Sequence, residues 1–192
     1  MKFKKTHLLI SFFFFAIACS STVKTSFYQL QTIETAEIYH NKLQSKEIRI
    51  QLNQIKFPEY LDHPQIVIRK NDYKLQLSEN HHWAEPLENE FSRIFIANFN
   101  RRIAPNHILG YSELKNIKAN IQLSIEVLQL DVDDNKQAVL AVRWGLLTGK
   151  NIQWFSKKFN VPVEDNSYES KVEAQSQLIA LLSDYIIKNM TL

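Results

Sequence analysis

The sequence predicts an α+β domain: a mostly antiparallel sheet with a β-meander in its C-terminal half, packed against two amphipathic helices. Three observations carry this. Residues 121–161 hold three extended apolar runs separated by turn signals. Two other segments, centred on Phe91 and Ile179, repeat apolar residues at three- and four-residue spacing. Each such helix has one apolar stripe, which a sheet must cover, giving two or three layers. The composition, 192 residues with 45% hydrophobic and 22% charged, argues against wholesale disorder and suits one globular domain.

The first element is a leader. Met1–Lys5 is basic, Leu8–Ala18 is apolar with four consecutive phenylalanines, and small residues precede Cys19. This is the three-part layout of a secretory signal peptide over residues 1–18. As a helix, Leu8–Ala18 reaches roughly 16 Å, against roughly 30 Å of bilayer hydrocarbon, so it is too short to span. Ala16-Ile17-Ala18-Cys19 resembles the lipobox of bacterial lipoproteins, with Ala16 where Leu is commoner. Cys19 is then the lipidated residue, and the acyl chains there hold a protein stably at the membrane. Ser20 stands where Asp would be the usual inner-membrane retention signal, which favours the outer membrane, periplasmic face. Lys2, Lys4 and Lys5 account for the whole formal charge of +3, so the rest of the chain is neutral. Cys19 is the only cysteine, which leaves no internal disulfide.

Residues 19–25 form the lipidated cysteine and a polar tether, which reaches at most roughly 25 Å from Cys19 to Ser26. Residues 26–192 read as a single periplasmic domain. Ser26–Leu30 is a first short strand and Thr32–Lys46 a loop. Ile48, Ile50 and Leu52 alternate with polar residues as a half-buried strand, which Pro58 ends. Gln65–Arg69 and Tyr73–Leu77 flank Asn71-Asp72 as a hairpin. The helical period begins at Trp83 and predicts a helix over about 85–102. Pro86 sits in its first turn, with Glu85, Glu88 and Glu90 near its start and Arg101 and Arg102 near its end, as the helix dipole prefers.

Ile121, Leu123, Ile125 and Val127 alternate cleanly, then the phase slips to Leu128, Leu130 and Val132, which predicts a bulge near Val127-Leu128. Asp133-Asp134-Asn135-Lys136 is a turn. Ala138–Leu147 is nearly all apolar and reads as a central strand buried on both faces. Thr148-Gly149-Lys150-Asn151 is a second turn, and Ile152–Val161 completes the meander. Val172, Gln175, Ile179, Leu182 and Ile186 mark a long C-terminal helix, with Asp165, Asn166 and Ser167 as caps.

Catalytic patterns fail on inspection. Gly145 and Gly149 have nucleophile-elbow spacing, but Leu147 fills the serine position. Gly149-Lys150 lacks the rest of a phosphate loop, and Asp131, Asp133 and Asn135 lack the glycine and glutamate of a calcium loop. His81-His82 is the only histidine pair, and adjacent side chains on an extended segment face opposite ways, which suits no single metal ion. The expectation is no enzyme, no catalytic residue, no metal and no cofactor beyond covalent lipid on Cys19. A neutral domain without a basic stripe is not expected to bind nucleic acid.

Two segments carry a family likeness: Ile55-Lys56-Phe57-Pro58-Glu59-Tyr60-Leu61, followed by Pro64-Gln65-Ile66-Val67, and His82-Trp83-Ala84-Glu85-Pro86-Leu87. With the lipobox and Phe27-Tyr28-Gln29-Leu30, in this order, they resemble the ABC-type transport auxiliary lipoproteins; Arg69 fits the same pattern loosely. The resemblance implies a non-catalytic outer-membrane lipoprotein working with an MCE-domain protein and inner-membrane components to move lipid and support envelope integrity. By the same analogy, copies of the chain assemble as a homo-oligomeric ring. The alternative is an assembly or structural lipoprotein of a secretion or lipopolysaccharide-export machine. Candidate partner-contact or fold-signature residues are Pro58, Tyr60, Leu61, Trp83, Pro86 and Leu87. Tyr60, Leu61 and Trp83 are either exposed anchors or core, and core is the commoner fate of aromatic residues.

Overall fold

The computed structural model describes residues 24–34, 49–103, 108–110 and 119–190. The leader, Cys19, Ile48 and most of the expected 32–46 loop lie outside the described residues. Eight strands are present among those described: β1 (Ser26–Tyr28), β2 (Ile50–Leu52), β3 (Gln65–Asn71), β4 (Lys74–Trp83), β5 (Ile108–Gly110), β6 (Ile121–Asp133), β7 (Gln137–Thr148) and β8 (Asn151–Pro162). Two α-helices accompany them, α1 (Leu87–Arg102) and α2 (Tyr168–Asn189). The fold is α+β, as the hydrophobic periods predict.

The sheet runs β1-β4-β3-β6-β2-β5, with β7 and β8 added beside β6. The long pairings are antiparallel: β3 with β4, β6 with β7, and β7 with β8. The short ones are parallel, namely β1 with β4, β2 with both β5 and β6, and β3 with β6. The sheet is therefore mixed, with its extended register in the antiparallel ladders. β5 has no counterpart among the sequence expectations, because three residues are too few to show a period.

The predicted meander forms in register. Leu128 is the residue left over where pairing slips between Val127 and Gln129, and it points out half-exposed. Lys136 takes a positive φ of 58° in the β6–β7 turn, and Gly149 one of 62° in the β7–β8 turn. Central β7 buries Ala138, Val139 and Leu140 in succession, but Arg143 and Thr148 are exposed, so burial on both faces covers only its first half. β8 pairs with β7 alone among the described strands. Its other edge carries Lys157 and ends at Pro162, two residue types that blunt edge pairing.

Along this meander, one face meets α2 and the other looks out. Ile125, Val127, Leu130, Val142 and Trp144 lie on the helix face by strand alternation, and Trp144 meets Tyr185 of α2 edge-on at 5.8 Å. The outward face shows Glu126, Arg143 and Trp154. Arg143 pairs with Glu126 and lies 5.3 Å over the Trp154 ring, which rests on Gly145. A Cβ at residue 145 would stand 3.0 Å from that indole, which is why glycine fits there.

α2 starts where its caps predict: Ser167 accepts a hydrogen bond from the Ser170 N–H, and Asp165 accepts from the Ser167 N–H. α1 begins at Leu87, with Pro86 at its N-cap rather than inside its first turn. Trp83 closes β4 and precedes the helix, which starts two residues later than the expected 85. Arg102, buried at the end of α1, pairs with Asp184 of α2 and donates to the Asn98 carbonyl at 2.8 Å.

β1 is shorter than expected because Leu30 and Gln31 are needed elsewhere. The Leu30 N–H donates to Glu90 of α1 at 3.1 Å, and the Gln31 N–H donates to Ser176 Oγ of α2 at 3.1 Å. The segment after β1 thus straps the two helices together, with Leu30 fully buried beneath it.

Pro58 does not end a strand. β2 stops at Leu52, a single bridge joins Lys56 to Glu126, and Pro58 then opens a 3-10 turn over Glu59–Leu61. Its fixed φ of −69° serves that turn.

Candidate functional site

The outer edge of β6 explains the local structure of the site. Three separate pieces share that edge: β2 opposite Ile121–Leu123, the Lys56 bridge opposite Glu126, and β3 opposite Val132-Asp133. Between the bridge and β3 the edge would lie bare, beside the Leu128 bulge. Tyr60 fills that gap. Its Oη accepts from the Leu130 N–H at 3.4 Å and donates to Asp131 Oδ2 at 3.2 Å.

Asp131 is fully buried on the face away from α2, and it is well satisfied. Arg69 Nε donates to both carboxylate oxygens at 3.1 Å, Arg69 Nη2 to Oδ2 at 2.7 Å, and Gln129 Nε2 to Oδ1 at 2.8 Å. Burial, and then the Asp131 charge, push the Tyr60 phenol up to about 12. Tyr60 and Arg69, both partly buried, thus form one network with the buried Asp131, whose spacing with Asp133 and Asn135 resembles only the start of a calcium loop in the sequence.

With Tyr60 turned inward, the rest of its segment faces α1. Phe57, Glu59, Leu61, Asp62, His63 and Pro64 form one wall of a surface pocket. Residues 83–89, from Trp83 through the first helical turn, form the other wall. The volume is about 470 Å³, within the range of ligand and side-chain pockets. Trp83, Leu61 and Leu87 are buried and make its floor, while Pro64, Ala84 and Pro86 are exposed at its lip. Phe57 meets Phe91 of α1 edge-on at 5.4 Å, which fixes the 3-10 segment against the helix.

The structure therefore brings together Leu61, Trp83, Pro86 and Leu87 of the six candidates. Tyr60 and Pro58 do not line the pocket; one is bonded to Asp131 and the other caps the turn. Sequence reasoning did not single out the acidic rim of Glu59, Asp62, Glu85 and Glu88. The signal is present in the sequence, because each segment holds one carboxylate and is followed directly by another, but the helix dipole accounts equally well for Glu85 and Glu88. Among the described residues Glu85 pairs with Arg93 at 2.6 Å, and Glu88 accepts from Gln54 at 3.2 Å. Neither Glu59 nor Asp62 has an ion-pair partner among the described residues.

The histidine pair divides as an extended strand requires. His81 stacks on Tyr168 of α2, ring centroids 3.6 Å apart, and is hydrogen-bonded to Tyr28 Oη at 2.8 Å. His82 meets Phe27 edge-on at 6.0 Å.

A family model described as the ABC-type transport auxiliary lipoprotein component matches residues 28–187. The chain belongs to that family. Both pocket-forming segments fall inside the match, and so do all eight strands but the start of β1. A search of curated protein sequences returns no significant match. Two crystal structures overlay on most of this auxiliary lipoprotein. One, of an uncharacterised protein, covers 88% of this chain with 100% of its own at TM-score 0.71 and 18% identity. The other, protein XCC0632 from Xanthomonas campestris, of the DUF330 family, covers 85% with 93% of its own at TM-score 0.69 and 14% identity. At such identities the likeness speaks for the fold alone. The PelC dodecamer from Paraburkholderia phytofirmans overlays loosely, with TM-score 0.40 and 11% identity over 70% of this chain and 84% of its own, and has no bearing on assembly here. The family description makes this auxiliary lipoprotein an accessory component of an ABC-type transport system.

Proposed function

We propose that this lipoprotein is anchored through Cys19 in the outer membrane, faces the periplasm, and acts as a non-catalytic docking component of an MCE-type intermembrane lipid transport system. The observation that carries the reading is convergence. Two segments distant in sequence, each inside the family match and each carrying residues through which the sequence resembles the family, fold into the two walls of one surface pocket. The pocket's polar lining is carboxylates with His63 and Asn89, which present shape and charge to a partner. A short tether keeps such a surface near the membrane, where a partner reaching across the periplasm would meet it.

Crosslinking of the tagged full-length protein in cells tests this. Recovery of an MCE-domain protein supports the reading. Recovery of a secretion or lipopolysaccharide-export component with no MCE protein would replace it.

A further inference from the structure

We propose that the pocket between the Phe57–Pro64 segment and the start of α1 holds a basic peptide segment of the partner protein. That segment would be extended, with one leucine or proline side chain flanked by lysine or arginine. The inference rests on the docking role proposed above and names the chemistry of what docks.

The floor sets the anchor. Trp83, Leu61 and Leu87 offer a buried apolar base, and Phe57, Pro64 and Pro86 give it stiff walls that lose little freedom on binding. About 470 Å³ leaves room for an aliphatic side chain together with the peptide backbone on either side of it. The rim sets the charge. Glu59, Asp62, Glu85 and Glu88 surround the opening, and no lysine or arginine lines it. Glu59 and Asp62 are exposed and have no cation of their own among the described residues, so they are free to meet one. The same rim repels a phospholipid phosphate, which argues against a lipid headgroup as the occupant. Strand addition is also disfavoured here, because the Trp83 N–H already donates to the Pro64 carbonyl at 2.7 Å and the Ala84 N–H to the Tyr28 carbonyl at 2.9 Å. Recognition falls to side chains.

The test uses the full-length lipidated protein in detergent micelles. Two fluorescent peptides share a central Leu-Pro pair, flanked in one by lysines and in the other by glutamates. The lysine peptide should bind, and raised salt should weaken it. In Glu59→Lys/Asp62→Lys its affinity should fall about tenfold or more, while Trp154→Ala on the far face leaves it unchanged. Both reversed residues are exposed and unpaired among the described residues, so an unchanged melting temperature should accompany the loss. Equal binding of the two peptides, no binding of the lysine peptide, or loss of binding in Trp154→Ala overturns the proposal. A photo-crosslinker at Asn89 that captures only second copies of this chain in cells also overturns it. If the charge-reversed protein maintains the envelope barrier while Cys19→Ala does not, the pocket assignment falls and the auxiliary role stands. If Cys19→Ala also leaves the barrier intact, the auxiliary role falls with it.

Discussion

Tyr60 and Asp131 meet at 3.2 Å across the bare stretch of the β6 edge, and the same phenol oxygen takes the Leu130 N–H. One side chain thus completes a strand edge that no backbone reaches. Tyr60→Phe leaves the Leu130 N–H without its acceptor and removes one donor from a buried carboxylate. The expected cost is about 1–3 kcal/mol in chemical denaturation. The pH dependence has a definite sign. A phenol held protonated to about 12 in the fold ionises near 10 when unfolded, so its contribution is intact below pH ~10 and lost as pH rises toward ~12. The wild type should lose stability faster than Tyr60→Phe across that window; parallel curves would remove Tyr60 from the network.

Phe91 lies fully buried in mid-stripe on α1, edge-on to Phe57. Phe91→Ala should cost about 3–5 kcal/mol, because the surrounding strands and helices cannot close the space. It should also loosen the Phe57 wall of the pocket, seen as changed amide shifts over residues 57–64. An unchanged melting temperature would mean that this helix face is not core.

Glu90 is buried beneath the strap, accepting the Leu30 N–H with one oxygen and standing 3.7 Å from Arg93 with the other. Burial pushes its carboxyl up, with Glu85 adding to the shift. A carboxyl raised in the fold contributes most below the ordinary glutamate range and loses that contribution as pH rises through its folded value. Glu90→Gln keeps an acceptor for Leu30 and removes the charge. Its melting temperature should match wild type near pH 4 and exceed it at pH 7; a gap that widens toward acid would reverse the assignment.

Cys19→Ala follows from the proposed anchor. It should abolish palmitate labelling and release the protein from membranes or leave it with an uncut leader. A Cys19→Ala protein that still labels and still sediments with the outer membrane would end that reading.

The elements that the sequence made legible are those that local chemistry dictates. The alternation of Ile121–Val127 and its slip at Leu128 specify a bulged strand, because side chains alternate across a sheet and a one-residue slip must be absorbed somewhere. Ser167 and Asp165 mark the start of α2 because they bond to backbone groups two or three residues away. The 3.6-residue stripes of α1 and α2 were visible for the same reason, although the strand ending in Trp83 blurred where α1 begins.

Tertiary structure decided what joins what. β5 and the parallel pairings of β2 join chain segments tens of residues apart, and nothing in a three-residue strand announces its partner. Pro58 looked like a strand end, yet the β6 edge needed a side chain there, and the turn it opens delivers Tyr60. Asp131 resembled the first position of a metal loop until Arg69, Gln129 and Tyr60 closed on it. The two signature segments gave no sign that they share a pocket, or that their four carboxylates share a rim. Periodicity and caps act within a few residues and are written in the chain. A binding surface is built from long-range pairings, which exist only once the sheet has closed.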